Sequence, residues 1–106
     1  AVMGFVKRRY NICISHGNGP QVGAELQRNE LTQDIIPPLP LGVLVANTQG
    51  AIGYMIQQSL QNALYKEDTS REVVSIISQV KVDKDDPELL DPKKYIGKSY
   101  DKETAT

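Results

Sequence analysis

Two short apolar runs that alternate with two helical stretches predict an α/β fold with a parallel sheet. The runs are "YNICIS" at residues 10–15 and "EVVSIIS" at residues 72–78. The first is bounded by turn residues, and the second contains four β-branched aliphatic residues. One helical stretch opens at Pro20, and the other extends over about 43–66.

Each element follows from its residues. "AVMGFVKRRY" reads as the tail of a helix entered midway, with Val2, Phe5 and Val6 as its apolar positions. Lys7, Arg8 and Arg9 suit the negative end of a helix dipole. In the first strand Ile12 and Ile14 share one face; Asn11, Cys13 and Ser15 share the other and are small enough to lie under a helix. Pro20 fits a first helical turn, where its missing N–H has no intrahelical partner in any case. That helix is expected through Val22 and Leu26 to about Arg28. "DIIPPLPLG", residues 34–42, holds three prolines and is expected to be irregular. Val45, Ile52, Met55, Ile56, Leu60, Ala63 and Leu64 then recur at spacings of three, four and seven, an apolar helical stripe. Gly50 and Gly53 interrupt it, which predicts the close approach of another backbone. The run at 72–78 has the pattern of a strand buried on both faces. Residues 1–82 therefore form a βα core, and the charged, proline-containing residues 83–106 form a surface excursion or the start of a small protruding subdomain.

Composition narrows the function. A length of 106 residues suits one domain or a piece of a larger one. Apolar residues make up 40% and charged residues 24%, which is the range of globular proteins. A net charge of −1 gives no pull toward nucleic acid or an anionic membrane. Pro40, three glycines and polar residues break the apolar-rich stretch at 39–55, so it does not read as a membrane span. Cys13 stands alone, which excludes an internal disulfide and predicts a buried, inert thiol. A cytoplasmic protein is the default reading.

The chemistry concentrates in "SHGNGPQVG", residues 15–23. A strand, a glycine-rich turn and a helix start together aim main-chain N–H groups at an anion, and the helix adds about half a positive charge. Gly17 and Gly19 allow close approach and positive φ, and Asn18 adds an amide donor. No G-K-[ST] follows, and the spacing is not G-x-G-x-x-G. A tight turn whose glycines serve geometry alone stays open as the second reading. His16 is the only histidine, so a structural hydrogen bond suits it better than catalysis. "DKDDPE" at 83–88 has Pro87 and Glu88 where a calcium loop wants a ligand and a glycine, and no metal site is expected. Lys93, Lys94 and Lys98 lie among acids, as on an ordinary solvated surface.

Four stretches taken in order add a resemblance. "HGNGPQVG" at 16–23, "TQGAIGYMIQQSL" at 48–60, "VVSIISQVKVDKDDP" at 73–87 and "DPKKYIGKSY" at 91–100 together resemble the carbamate kinase family of the amino acid kinase superfamily. The resemblance covers nearly all of this chain and roughly a third of a family member. It implies an open three-layer α/β/α sandwich with a mainly parallel sheet. It implies reversible phosphoryl transfer between ATP and carbamate, with ATP/ADP and Mg as cofactors, a small-molecule substrate, a homodimer, and no nucleic acid or membrane partner. On the matching positions it implies that Gly17, Asn18 and Gly19 line the carbamate and phosphate site, with Gln21 beside them. Lys94 corresponds to a catalytic lysine that reaches the site from the excursion.

The same resemblance implies that the family's first glycine loop and its nucleotide half are not in these residues. The 106 residues alone are then expected to be inactive. Gly42, Val45 and Tyr95 depart from the family pattern, the last at a proline that would stiffen the approach of Lys94. The alternative is a non-catalytic α/β fragment or degenerate paralogue that serves as a binding or dimerisation unit.

Overall fold

The computed structural model describes residues 1–103. Three helices carry the fold: α1 (Val2–Lys7), α2 (Gly19–Thr32) and α3 (Leu41–Lys66), followed by a short 3-10 turn at Pro87–Leu89. The last residues of the expected excursion, 104–106, lie outside the described range.

The helices match the sequence pattern closely. α1 ends at its basic residues, where Arg9 takes a positive φ of 62° and turns the chain outward. Lys7 pairs with Glu67 at 2.9 Å and ties the end of α1 to the end of α3. α2 starts with proline in its first turn, as Pro20 requires, and runs four residues past the expected Arg28 to Thr32. Asn29 then holds the proline connection: it donates to the Leu39 carbonyl at 2.8 Å and accepts from the Leu39 N–H at 3.2 Å. α3 is 26 residues long and begins after Pro40. α2 and α3 pack on each other, and Val22 and Leu44 are almost fully enclosed at 1% and 2% exposure.

The predicted parallel sheet is not formed among the described residues. Residues 10–15 and 72–78 are extended, yet neither belongs to a ladder. A strand needs a neighbour at about 4.8 Å to satisfy its N–H and C=O groups. Just before the second run, Arg71 donates to the Tyr10 carbonyl at 2.7 Å. Beyond that point the two runs border one groove of about 550 Å³, floored by α3 and closed at one end by α1. The expected burial of 72–78 on both faces is absent for the same reason: Val74 and Ile76 are 75% and 83% exposed. Cys13, expected to be buried, is an exposed free thiol.

The second extended run is held by side chains. Gln61 accepts from the Val73 N–H at 3.1 Å and donates to the Arg71 carbonyl at 3.2 Å. Gln57 accepts from the Ser75 hydroxyl at 2.9 Å, and Gln49 accepts from the Ser78 N–H at 3.0 Å. Positions 49, 57 and 61 are eight and four residues apart, so they share one face of α3. Where a sheet would use main-chain partners, a row of glutamines sets the register.

Among the described residues no helix is long and apolar enough to cross a membrane. The radius of gyration is 18.6 Å, whereas a compact domain of this length has about 13 Å. The chain is extended because few apolar faces meet.

Candidate functional site

The loop at 15–19 joins the first extended run to α2. An added Cβ at Gly17 or Gly19 would meet nothing within 4 Å, and neither glycine takes a positive φ. Positive φ was an expectation for these two positions, and the backbone here does not need it. Neither turn geometry nor packing within the described residues demands a glycine at either place. What a side chain would obstruct is the open space beside the loop.

Main-chain donors border that space. Among the described residues the N–H groups of Gly17, Asn18 and Gly19 make no hydrogen bond. Asn18 occupies the N-cap of α2, where a side-chain oxygen usually accepts from the first turn. Here it forms no such bond. Its amide nitrogen turns to α3 instead, donating to Thr48 Oγ1 at 2.9 Å and to the Val45 carbonyl at 3.3 Å. The amide donor expected for a ligand is therefore engaged by the protein. What remains at the loop is main-chain N–H groups at the positive end of a helix.

The other candidates divide. Gln21 is exposed on the first turn of α2 and forms no side-chain bond to the loop. His16 Nδ1 lies 3.3 Å from the Gly17 carbonyl, within reach of a bond in the Nδ1–H tautomer. Lys94 is exposed and has no ion pair or hydrogen bond among the described residues, while Lys93 pairs with Glu88 at 3.4 Å. The lysine that the fold sets beside the start of α2 is Lys98, which lines a shallow cleft of about 340 Å³ with Gly19, Pro20 and Gly23.

Lys98 arrives there because the end of the excursion straps across α2. Gly97 takes a φ of 96°, and its main chain would lie 3.4 Å from a Cβ on Gly23. A Cβ on Gly97 would in turn lie 3.6 Å from Leu26 Cδ1. The Tyr100 hydroxyl donates to the Glu30 carboxylate, and this bond, with some desolvation and the carboxylate charge, raises the phenol above its ordinary pKa. Positions 23, 26 and 30 share one face of α2, so the strap follows a single stripe.

Sequence reasoning gave no role to Thr48, Gln57 and Gln61. Their signal was visible: polar residues placed on the buried side of an apolar helix. Among the described residues no cluster of three or more His, Cys, Asp or Glu side chains could hold a metal ion.

The curated relatives decide the comparison. A carbamate kinase of Pyrococcus horikoshii is 48% identical over 103 residues, covering 95% of this chain and 33% of the relative. Its relatives are carbamate kinases. Carbamate kinase 2 of Enterococcus faecalis is 43% identical over 95% of this chain and 33% of its own length. Among solved structures, the carbamate kinase of Giardia lamblia bound to AMP-PNP superposes with a TM-score of 0.89 at 33% identity. That match takes in 98% of this chain and 33% of the Giardia chain. The chain thus spans about a third of the length of the carbamate kinases it matches. No family model matches it.

Proposed function

We propose that this chain is the substrate-side third of a carbamate kinase, one that transfers a phosphoryl group between carbamoyl phosphate and ADP. The observation that carries the reading is the loop at Gly17, Asn18 and Gly19. Among the described residues its N–H groups have no protein partner, and its glycines leave open space at the start of α2. Similarity to carbamate kinases along 95% of the chain supplies the substrate class.

The chemistry asks little of side chains as bases. The bond between phosphorus and the carbamoyl oxygen breaks, and a β-phosphate oxygen of ADP forms the new one. Carbamate leaves as an anion, so no proton has to move. Such transfer depends on positioning and on charge neutralisation. The loop N–H groups serve the anionic oxygens, and Lys94 is the cation from the excursion. The excursion that begins at residue 83 acts in this reading as the start of a small protruding subdomain that brings Lys94 in. ATP/ADP with Mg completes the reaction, and nothing in the described residues fits the adenine ring or the metal. The enzyme works as a cytoplasmic homodimer.

The same reading completes the sheet. Residues 10–15 and 72–78 are strands of a parallel sheet separated by one position, and a strand from elsewhere in the polypeptide occupies the 550 Å³ groove between them. A second reading, a non-catalytic binding unit, draws on the exposed apolar side chains along that groove. A coupled assay separates the two. A chain that carries this segment at the relatives' full length is supplied with carbamoyl phosphate and ADP. ATP formation supports the kinase; a folded protein that forms none supports the binding unit.

A further inference from the structure

Of the five asparagines in the chain only Asn18 is followed by a glycine. Glycine has no Cβ, so nothing on Gly19 shields its main-chain nitrogen from the asparagine side chain. Such a pair is chemically labile. The Gly19 nitrogen gives up its proton to water and bonds to Asn18 Cγ, the Cγ–Nδ2 bond breaks, and ammonia leaves. Water then opens the cyclic imide at either carbonyl and leaves aspartate or isoaspartate at position 18. Gly19 is exposed and its N–H makes no hydrogen bond among the described residues. The positive end of α2 also favours the anionic nitrogen.

The fold opposes this reaction with contacts to both sides of Asn18. Its Nδ2 donates to Thr48 Oγ1 at 2.9 Å and to the Val45 carbonyl at 3.3 Å. Its own carbonyl accepts from the Val22 N–H at 2.9 Å, the first bond of α2. A ψ of 14° lays the Gly19 nitrogen nearly over the nitrogen of Asn18, away from the Cβ branch. Ring closure therefore has to rotate the Asn18 carbonyl off Val22 and pull the side chain off α3. We propose that Asn18–Gly19 is a deamidation site and that Thr48 is the residue that holds it closed. Thr48 is a buried polar residue of the core, 4% exposed. Its hydroxyl donates to the Val45 carbonyl at 2.9 Å and so presents a lone pair to Asn18. The product cannot rebuild the network. A carboxylate oxygen then faces the Val45 carbonyl, acceptor against acceptor, and isoaspartate adds a methylene to the main chain at the N-cap. Conversion alters the loop whatever the loop binds.

The test incubates the full-length chain that carries this segment at mildly alkaline pH, folded and in denaturant. Aspartate and isoaspartate at position 18 are quantified by peptide mass spectrometry in the wild type, Thr48→Val, Thr48→Ser and Leu64→Ala. In denaturant all four are expected to convert at one rate. Folded wild type is expected to convert about 10-fold or more slowly, because the ring closes only after local opening. Thr48→Val keeps the shape and removes the acceptor, and should speed conversion in the folded chain about 5-fold, the equivalent of one such bond. Thr48→Ser keeps the hydroxyl and should stay near the wild type. Leu64→Ala weakens the core away from Asn18 and should also stay near it. Thr48→Ala lacks the same acceptor and serves if Thr48→Val does not fold. No product at position 18 in denaturant overturns the site. Folded wild type that converts at the denatured rate overturns the protection. Equal rates in the folded wild type and Thr48→Val, or Thr48→Ser or Leu64→Ala as fast as Thr48→Val, overturn the part given to Thr48.

Discussion

Gly53 of α3 faces Ser75 of the second extended run so closely that a Cβ on the glycine would lie 3.0 Å from the serine Oγ and 3.1 Å from its Cβ. The oxygen cannot swing away without leaving Gln57, and the Cβ cannot swing at all. Close approach was expected at this glycine, and a side chain supplies it where a backbone was expected. Gly50, one turn earlier, meets only Ile77 Cδ1 at an ordinary 3.6 Å.

These two glycines should therefore respond differently to alanine. Gly50→Ala gains helix propensity of about 1 kcal/mol and is expected to raise the urea midpoint. Gly53→Ala has the same propensity gain but displaces residues 72–78, and should fall below Gly50→Ala by about 1 kcal/mol or more. Equal midpoints would mean that Ser75 does not press on α3.

The glutamine row predicts a local pattern of amide exchange. The N–H groups of Val73 and Ser78 are bonded to Gln61 and Gln49. In Gln61→Leu the Val73 amide loses its acceptor, and its exchange is expected to speed up about 5-fold, equivalent to about 1 kcal/mol. The Ser78 amide should keep its rate. Acceleration of both would show the row acting as one unit.

The strap over α2 should be sensitive to alkali. The Tyr100 phenol donates to Glu30 and its pKa is raised above 10.0. A raised pKa contributes to strap docking fully below the ordinary value, and the contribution is lost as pH climbs through the higher one. Tyrosinate absorbance, compared between wild type and Tyr100→Phe, should show the missing component titrating later than the other tyrosines. A component that titrates with the rest would place Tyr100 away from Glu30.

The two neighbouring lysines offer a control for the excursion. Lys93 is paired with Glu88, while Lys94 has no partner among the described residues. In the full-length chain Lys94→Ala is expected to lower kcat about 100-fold, the scale of a lost charge-stabilising group. Lys93→Ala should stay within about 3-fold. Similar losses from the two would remove Lys94 from the site.

The helices were legible because their signals are local. Pro20 opens α2, Pro40 precedes α3, and the stripe from Val45 to Leu64 repeats at helical spacing. The glycine loop was legible as well, since its composition is unusual at the junction of a strand pattern and a helix start. The resemblance carried by four ordered stretches agrees with the carbamate kinase relatives.

Sequence by itself determined where the chain curls into helices and marked the glycine-rich loop at 15–23, because propensity and spacing act over a few positions. Tertiary structure alone decided that Asn18 turns its amide to Thr48 and that glutamines hold residues 72–78. It also decided that Lys98 reaches α2 and that both extended runs lie open. These depend on contacts between positions far apart in the chain. An extended segment in particular takes its pairing from its neighbour rather than from its own residues.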